Sequence, residues 1–229
     1  MMRKKHILCL GDSNTHGRCA DPAEGSDPAF QPYRFKEDER WTCLLQQALG
    51  DEYLVLEEGL NGRTTVFSDP LLEDMAAIDY IRPCMKSHQP IDLLIVMLGT
   101  NDVKARFCVT PPEVALGMER LLQHAAATDA WASAPNILLI APAPIGAGVY
   151  QTPMASIMGS GCAEKSEALA TEYQLLTETH GFAFLDAGKH CTVSSADFIH
   201  LTKQSHAELA KAVSAAVQSM PVFHGTSEK

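Results

Sequence analysis

Five short apolar runs punctuate the chain, and their form and spacing limit the fold more than any other feature. Ile7-Leu8-Cys9-Leu10, Tyr53-Leu54-Val55-Leu56, Leu93-Leu94-Ile95-Val96-Met97-Leu98 and Ile137-Leu138-Leu139-Ile140 are continuous, with Phe182-Ala183-Phe184-Leu185 a weaker fifth. A run of this length without polar alternation fits a strand buried on both faces. Between the runs lie stretches of helical spacing: Trp41, Leu44, Leu45, Ala48 and Leu49, then Val114, Leu116, Met118, Leu121 and Leu122, and two more helices over about 162–180 and 203–218. Strands alternating with helices, with no hairpin signal, predict βαβ units and a mainly parallel five-stranded sheet covered on both faces. Sites in such folds lie at the carboxyl ends of the strands. The chemistry should therefore follow the apolar runs.

The rest of the composition fits one core. No stretch of the 229 residues reads as a linker, so residues 1–229 are expected to form a single domain. A net charge of −10 argues against nucleic acid or an anionic membrane surface as partner, since both repel it. The seven cysteines are odd in number and scattered, without a C-x-x-C pair, which argues against a disulfide framework or a zinc site. Arg3, Lys4 and Lys5 precede an apolar stretch that Gly11-Asp12-Ser13 soon interrupts, too short for a signal peptide. A cytoplasmic protein is the expectation. Two segments, Arg18 to Arg40 and Pro142 to Gly161, are rich in loop-forming residues and are expected to be irregular pocket walls.

Four segments carry candidate chemistry. Gly11-Asp12-Ser13-Asn14-Thr15 follows the first run directly. Its serine could be a helix cap, and alone it would read as one. Asp197-Phe198-Ile199-His200 sets a carboxylate three residues before a histidine, where it can hold the imidazole in one tautomer and leave the other nitrogen free to take a hydroxyl proton. His16 is the competing histidine, but no adjacent acid orients it, so it is at most a pocket wall. Gly99-Thr100-Asn101-Asp102 follows the most apolar run and offers an amide donor to a developing oxyanion. Glu58-Gly59-Leu60-Asn61-Gly62-Arg63-Thr64-Thr65 follows the second run, and a glycine N–H there can approach a substrate closely. Each segment alone is ordinary turn chemistry. Their joint placement is much harder to obtain by chance.

Taken in order, Gly11-Asp12-Ser13, Gly62, Gly99-Thr100-Asn101-Asp102 and Asp197-x-x-His200 resemble the blocks that define the SGNH (GDSL-like) hydrolases. Arg40-Trp41-Thr42, Glu57-Glu58-Gly59-Leu60, Arg63-Thr64-Thr65 and Met97-Leu98-Gly99 make the bacterial arylesterase and acyltransferase branch the nearest resemblance. The resemblance implies a flavodoxin-like three-layer α/β/α sandwich. It also implies Ser13 as nucleophile, His200 as base and Asp197 as its orienting acid. The oxyanion hole would comprise the Ser13 and Gly62 backbone N–H groups and the Asn101 side chain. No cofactor or metal is implied, and the substrate is a small ester. Relatives commonly form oligomers, so a homo-oligomer is expected.

The sequence departs from that pattern at Asn14, where a leucine is usual, at His16, where close relatives carry an aromatic residue, and at Phe198-Ile199, where a Gly-aliphatic pair is commoner. These departures bear on the shape of the acyl pocket. Asp12, Trp41, Phe107, Ile145 and Phe198 are candidate substrate-binding residues, with Val109 beside them. Asp12 reads better as a structural residue, bonding backbone amides around the nucleophile turn, than as a proton carrier. The competing readings are a carbohydrate O-acetyl esterase, a lysophospholipase-like relative and a non-catalytic α/β binding module. A flavodoxin-type cofactor protein is disfavoured because Asp12 and Asp21 would repel phosphate.

Overall fold

The computed structural model describes residues 3–24 and 33–223. Part of the expected 18–40 loop, residues 25–32, lies outside the described residues. Five strands, β1 (Lys5–Gly11), β2 (Tyr53–Gly59), β3 (Leu93–Met97), β4 (Ile137–Ala141) and β5 (Ala183–Asp186), form one parallel sheet in the order β2-β1-β3-β4-β5. The expected sheet is therefore present, and its burial grades with position. β3 and β4 are buried throughout, whereas the edge strands β2 and β5 are half-buried along their whole length.

The helices are α1 (Ser13–His16), α2 (Trp41–Leu49), α3 (Ala77–His88), α4 (Pro111–Ala126), α5 (Ala155–Met158), α6 (Cys162–His180) and α7 (Lys203–Ser219). Successive residues of a strand point to opposite faces, and the core divides accordingly. Ile7, Cys9, Leu93, Ile95, Leu138 and Ile140 pack against α2 and α7. Leu8, Leu10, Leu94, Val96, Ile137 and Leu139 pack against α3, α4 and α6. This is the three-layer arrangement that continuous apolar runs require.

The sequence reading missed α3. Ala77, Ile81, Cys84 and Met85 are buried at helical spacing, so the signal was there. Pro83 inside the helix, which removes one backbone donor, hid it. The 142–161 segment is irregular as expected, broken into a short 3-10 turn (Ala147–Gln151) and the single turn α5.

From β1 the chain moves to β2 on one side and then crosses back to β3 on the other. The carboxyl ends of β1 and β3 thus flank the crevice where open α/β sheets bind ligands. Gly11-Asp12-Ser13 and Gly99-Thr100-Asn101 stand at those two ends.

Candidate active site

Ser13 is the first residue of α1, capped by Asp12, whose Oδ1 accepts the Asn14 N–H at 2.9 Å. The turn is tight because β2 closes on it. A Cβ at Gly59 would stand 2.1 Å from the His16 nitrogen, so no larger residue fits there. Ser13 retains only 5% exposure.

The loop before α7 brings the histidine to this serine. His200 Nε2 lies 2.9 Å from Ser13 Oγ, and His200 Nδ1 lies 2.5 Å from Asp197 Oδ2. Asp197 Oδ1 accepts the backbone N–H groups of Ile199 and His200, each at 3.0 Å. Burial alone would raise the Asp197 pKa, but the hydrogen bond and charge of His200, with the two amides, hold it below the usual carboxylate range. The carboxylate therefore stays ionised beside the imidazole.

Asn14 holds the two halves together. Its Oδ1 accepts the Leu201 N–H at 2.9 Å and its Nδ2 donates to the Ile199 carbonyl at 3.4 Å, one contact on each side of His200. The departure from leucine thus serves to tie the Ser13 turn to the His200 turn. Asn14 is 3% exposed. The sequence reading missed this function; an amide one residue after the candidate nucleophile was the available signal.

The departure at Phe198 has its own structural setting. The φ of Phe198 is +61°, a conformation suited to glycine that costs a larger residue on the order of 1 kcal/mol. Glycines on the 142–161 loop make room for its ring: a Cβ on Gly146 or Gly148 would come within 2.8 Å or 2.4 Å of it. The Gly146 N–H also donates to the Phe198 carbonyl at 2.9 Å, tying that loop to the histidine turn.

On the loops that follow β2 and β3 stand Gly62 and Asn101. Gly62 has φ +87°, which favours glycine, and no group among the described residues accepts its N–H. Asn101 donates through Nδ2 to the Arg63 carbonyl at 3.1 Å, which fixes the amide plane and leaves its second N–H to a ligand. Arg63, 5% exposed, is the hub of this side. Its guanidinium donates to the Gly11 carbonyl at 3.1 Å and to the Glu58 carbonyl, and it lies 4.9 Å from the centre of the Tyr80 ring. Thr65 binds Asp102 Oδ1 through its N–H (2.8 Å) and its hydroxyl (2.6 Å).

The two further carboxylates lie behind these groups. Burial raises the pKa of Asp12, against the pull of the Asn14 amide. Burial likewise pushes Asp102 up to about 6, with Thr65 opposing and the charge of Asp12 adding to it. Asp12 bonds a backbone amide, as the sequence suggested, and being 1% exposed it offers a substrate almost no surface.

Of the other candidate pocket residues, Trp41, the first residue of α2, is fully buried in the core and Ile145 is 4% exposed, its N–H donating to Ser166 Oγ at 2.9 Å. Their apolar character serves packing, and neither lines an open mouth. Phe107 is half-buried with its ring 5.8 Å from that of Phe67, Val109 packs against the core, and Phe198 keeps a partly exposed face. His16 ends α1 half-buried; burial, then the charges of Arg34 and Arg40, lower its pKa. The Arg40-Trp41-Thr42 block proves to be a clamp. Arg40 forks onto Glu57 at 3.0 and 2.9 Å, and Thr42 bonds the same carboxylate, fastening α2 to β2.

A buried serine hydroxyl bonded to an imidazole, itself oriented by a carboxylate, can attack an electrophilic carbonyl. Comparison with known proteins places the chain among the esterases. The model of the GDSL-like Lipase/Acylhydrolase family matches residues 9–208. The native M. smegmatis aryl esterase is 35% identical with a TM-score of 0.84, covering 94% of this chain and 99% of its own. A carbohydrate acetylesterase from Sinorhizobium meliloti is 33% identical with a TM-score of 0.83, covering 94% and 99%. A lipolytic G-D-S-L protein from Veillonella parvula shares the fold at 14% identity and a TM-score of 0.64, covering 94% and 100%. No curated protein matches the chain.

Proposed function

The chain belongs to the GDSL-like lipase/acylhydrolase family and is a carboxylic ester hydrolase; from that premise we propose that it works through an acyl-Ser13 intermediate. His200 takes the Ser13 proton as Oγ attacks the ester carbonyl, and Asp197 stabilises the imidazolium that forms. The N–H groups of Ser13 and Gly62 and the free N–H of Asn101 receive the oxyanion. The proton then passes from His200 to the leaving alkoxide, and water or a second alcohol attacks the acyl-serine by the reverse sequence. The observation that carries this reading is the continuous chain Asp197–His200–Ser13, with bonds of 2.5 and 2.9 Å.

The substrate we propose is a small ester of an activated or aromatic alcohol. The 35% identity to an aryl esterase supports it. A carbohydrate acetate is the second reading, favoured by the 33% identity to a carbohydrate acetylesterase. Acyl transfer to an alcohol, a cytoplasmic location and a homo-oligomer belong to the same proposal. All seven cysteines are free thiols, which suits a reducing compartment, and no helix among the described residues is long and apolar enough to cross a membrane. Leu60, Leu71 and Leu72, 37%, 72% and 43% exposed, stand near the Gly62 loop as a surface a second copy could cover.

A fluorophosphonate probe tests the mechanism. The parent protein should label at one site and Ser13→Ala should not. Equal labelling of both, or near-parental hydrolysis of p-nitrophenyl acetate by Ser13→Ala, overturns it. A panel of aryl acetates against acetylated sugars separates the two substrate readings.

A further inference from the structure

Glu58, at the end of β2, turns its carboxylate to one face of α3. Its Oε2 accepts the Tyr80 hydroxyl and its Oε1 meets His88 Nε2, both at 2.8 Å. Tyr80, Cys84 and His88 follow one another at four-residue spacing, so α3 presents all three on one side. The donor atoms of Glu58, Cys84 and His88 lie within 4.8 Å of one another, the one such convergence of three His, Cys or acidic groups among the described residues. The hydrogen bonds alone would be satisfied without the sulfur, yet Cys84 is placed with them.

We propose that Glu58, Cys84 and His88 form a binding site for a thiophilic divalent transition metal such as Zn²⁺, and that its occupancy slows the esterase. One sulfur, one imidazole nitrogen and one carboxylate oxygen are a donor set that Zn²⁺ favours, with water completing the tetrahedron. Around such an ion the donors stand roughly 3.3–3.7 Å apart, so the present arrangement needs only small side-chain rotations. On binding, the Cys84 thiol releases its proton to solvent and the sulfur bonds the metal, while Glu58 exchanges the His88 hydrogen bond for coordination. Thiolate and carboxylate together balance the ion's two charges. Entry is open through His88 and Glu58, whose side chains are 30% and 19% exposed.

The coupling to turnover runs through Arg63 and rests on the reading of Asn101 as an oxyanion donor. Arg63 donates to the Glu58 and Gly11 carbonyls, lies over the Tyr80 ring, and with its own carbonyl orients Asn101. Metal binding takes this cluster from the single negative charge of Glu58 to neutral, so the Arg63 guanidinium loses an attractive neighbour. The donor geometry on the Gly62–Asn101 side then loosens.

Reduced, metal-free protein titrated anaerobically with Co²⁺ provides the test. One equivalent should produce tetrahedral visible bands and a sulfur-to-cobalt charge-transfer band in the near ultraviolet. Cys84→Ala, with circular dichroism and melting checked against the parent, should lose that band, and His88→Gln should weaken binding at least tenfold. No charge-transfer band in the parent, or one that survives in Cys84→Ala, overturns the site. Zn²⁺ at saturation should lower kcat on p-nitrophenyl acetate several-fold in the parent, reversibly with EDTA, and leave Cys84→Ala unchanged. An unaltered kcat in zinc-loaded parent overturns the coupling. Loss of all esterase activity in metal-free parent would instead count against the metal-independent mechanism, while the cobalt spectrum still reports on the site.

Discussion

Two buried histidines stand six residues apart near the carboxyl ends of the strands, and they differ in everything except burial. His200, on the loop before α7, is 4% exposed and lies between Asp197 and Ser13. His206, in the first turns of α7, is fully buried against the edge of Phe35, with ring centres 5.1 Å apart. Its Nδ1 accepts the Trp41 N–H at 3.3 Å, and its Nε2 has no partner among the described residues. Burial, with the charges of Arg40 and His200 adding, lowers the His206 pKa to about 3. Such an imidazole stays neutral and cannot usefully take a proton at neutral pH. Burial by itself thus disables a base. A carboxylate on one nitrogen and a hydroxyl on the other supply what His206 lacks.

The sharpest way to break the contrast is to remove the acid. Asp197→Asn keeps the shape of the turn but can present an amide donor to His200 Nδ1, which favours the wrong tautomer. By analogy with the serine-protease triad, kcat should fall about 10⁴-fold, read on p-nitrophenyl acetate with folding checked by circular dichroism. A loss under about tenfold would mean that His200 needs no carboxylate, and the contrast with His206 would collapse.

A second cut leaves the acid in place and loosens the clamp. Asn14→Ala removes the bonds to Ile199 and Leu201 that fix His200 from both sides. The proposed base should drift relative to Ser13, and kcat should drop about 100-fold, the cost of a misplacement near 1 Å. KM should change little, because Asn14 has almost no surface to offer a substrate. If KM rises and kcat holds, Asn14 belongs to the pocket after all.

The contrast also shows what the sequence could convey. The Asp-x-x-His spacing distinguished His200, and five apolar runs conveyed the parallel sheet, because each of these patterns is local. Continuous runs arise from burial on both faces, and a three-residue offset closes one turn. What stayed hidden was set by contacts distant in sequence. Asn14 reaches residues nearly two hundred positions away, and Phe198 adopts a left-handed conformation under a ring packed on Gly146 and Gly148. Trp41 looked like a pocket residue because an aromatic side chain after a loop fits a mouth and a core equally well. Its burial between α2 and the sheet is a fact of packing between layers. Helix α3 escaped because Pro83 interrupts a pattern that Ile81, Cys84 and Met85 otherwise complete.

The smallest expected effect concerns stability alone and tests the other half of the contrast. With a folded pKa of about 3 against an ordinary 6.5, His206 binds its proton more readily in the unfolded chain. Its contribution to stability is complete above pH 6.5 and is lost as pH falls toward 3, at up to ~1.4 kcal/mol per unit. Asp102 works in the opposite sense. Raised to about 6 from 3.8, it costs stability above that range, and the cost relaxes as pH falls between those values. Asp197 and Glu57, the latter lowered to about 2, add acid sensitivity only once the pH nears the ordinary carboxylate range. The parent's own pH slope is therefore a mixture, and a difference between two proteins is needed to isolate the histidine. His206→Gln keeps an oxygen to accept the Trp41 N–H and removes the titration. Between pH 6.5 and 5 the variant should gain about 2 kcal/mol relative to the parent in urea unfolding, with kcat unchanged at neutral pH. Parallel stability curves would mean that His206 is hydrated or protonated in the folded protein. The two histidines would then differ by less than their surroundings suggest.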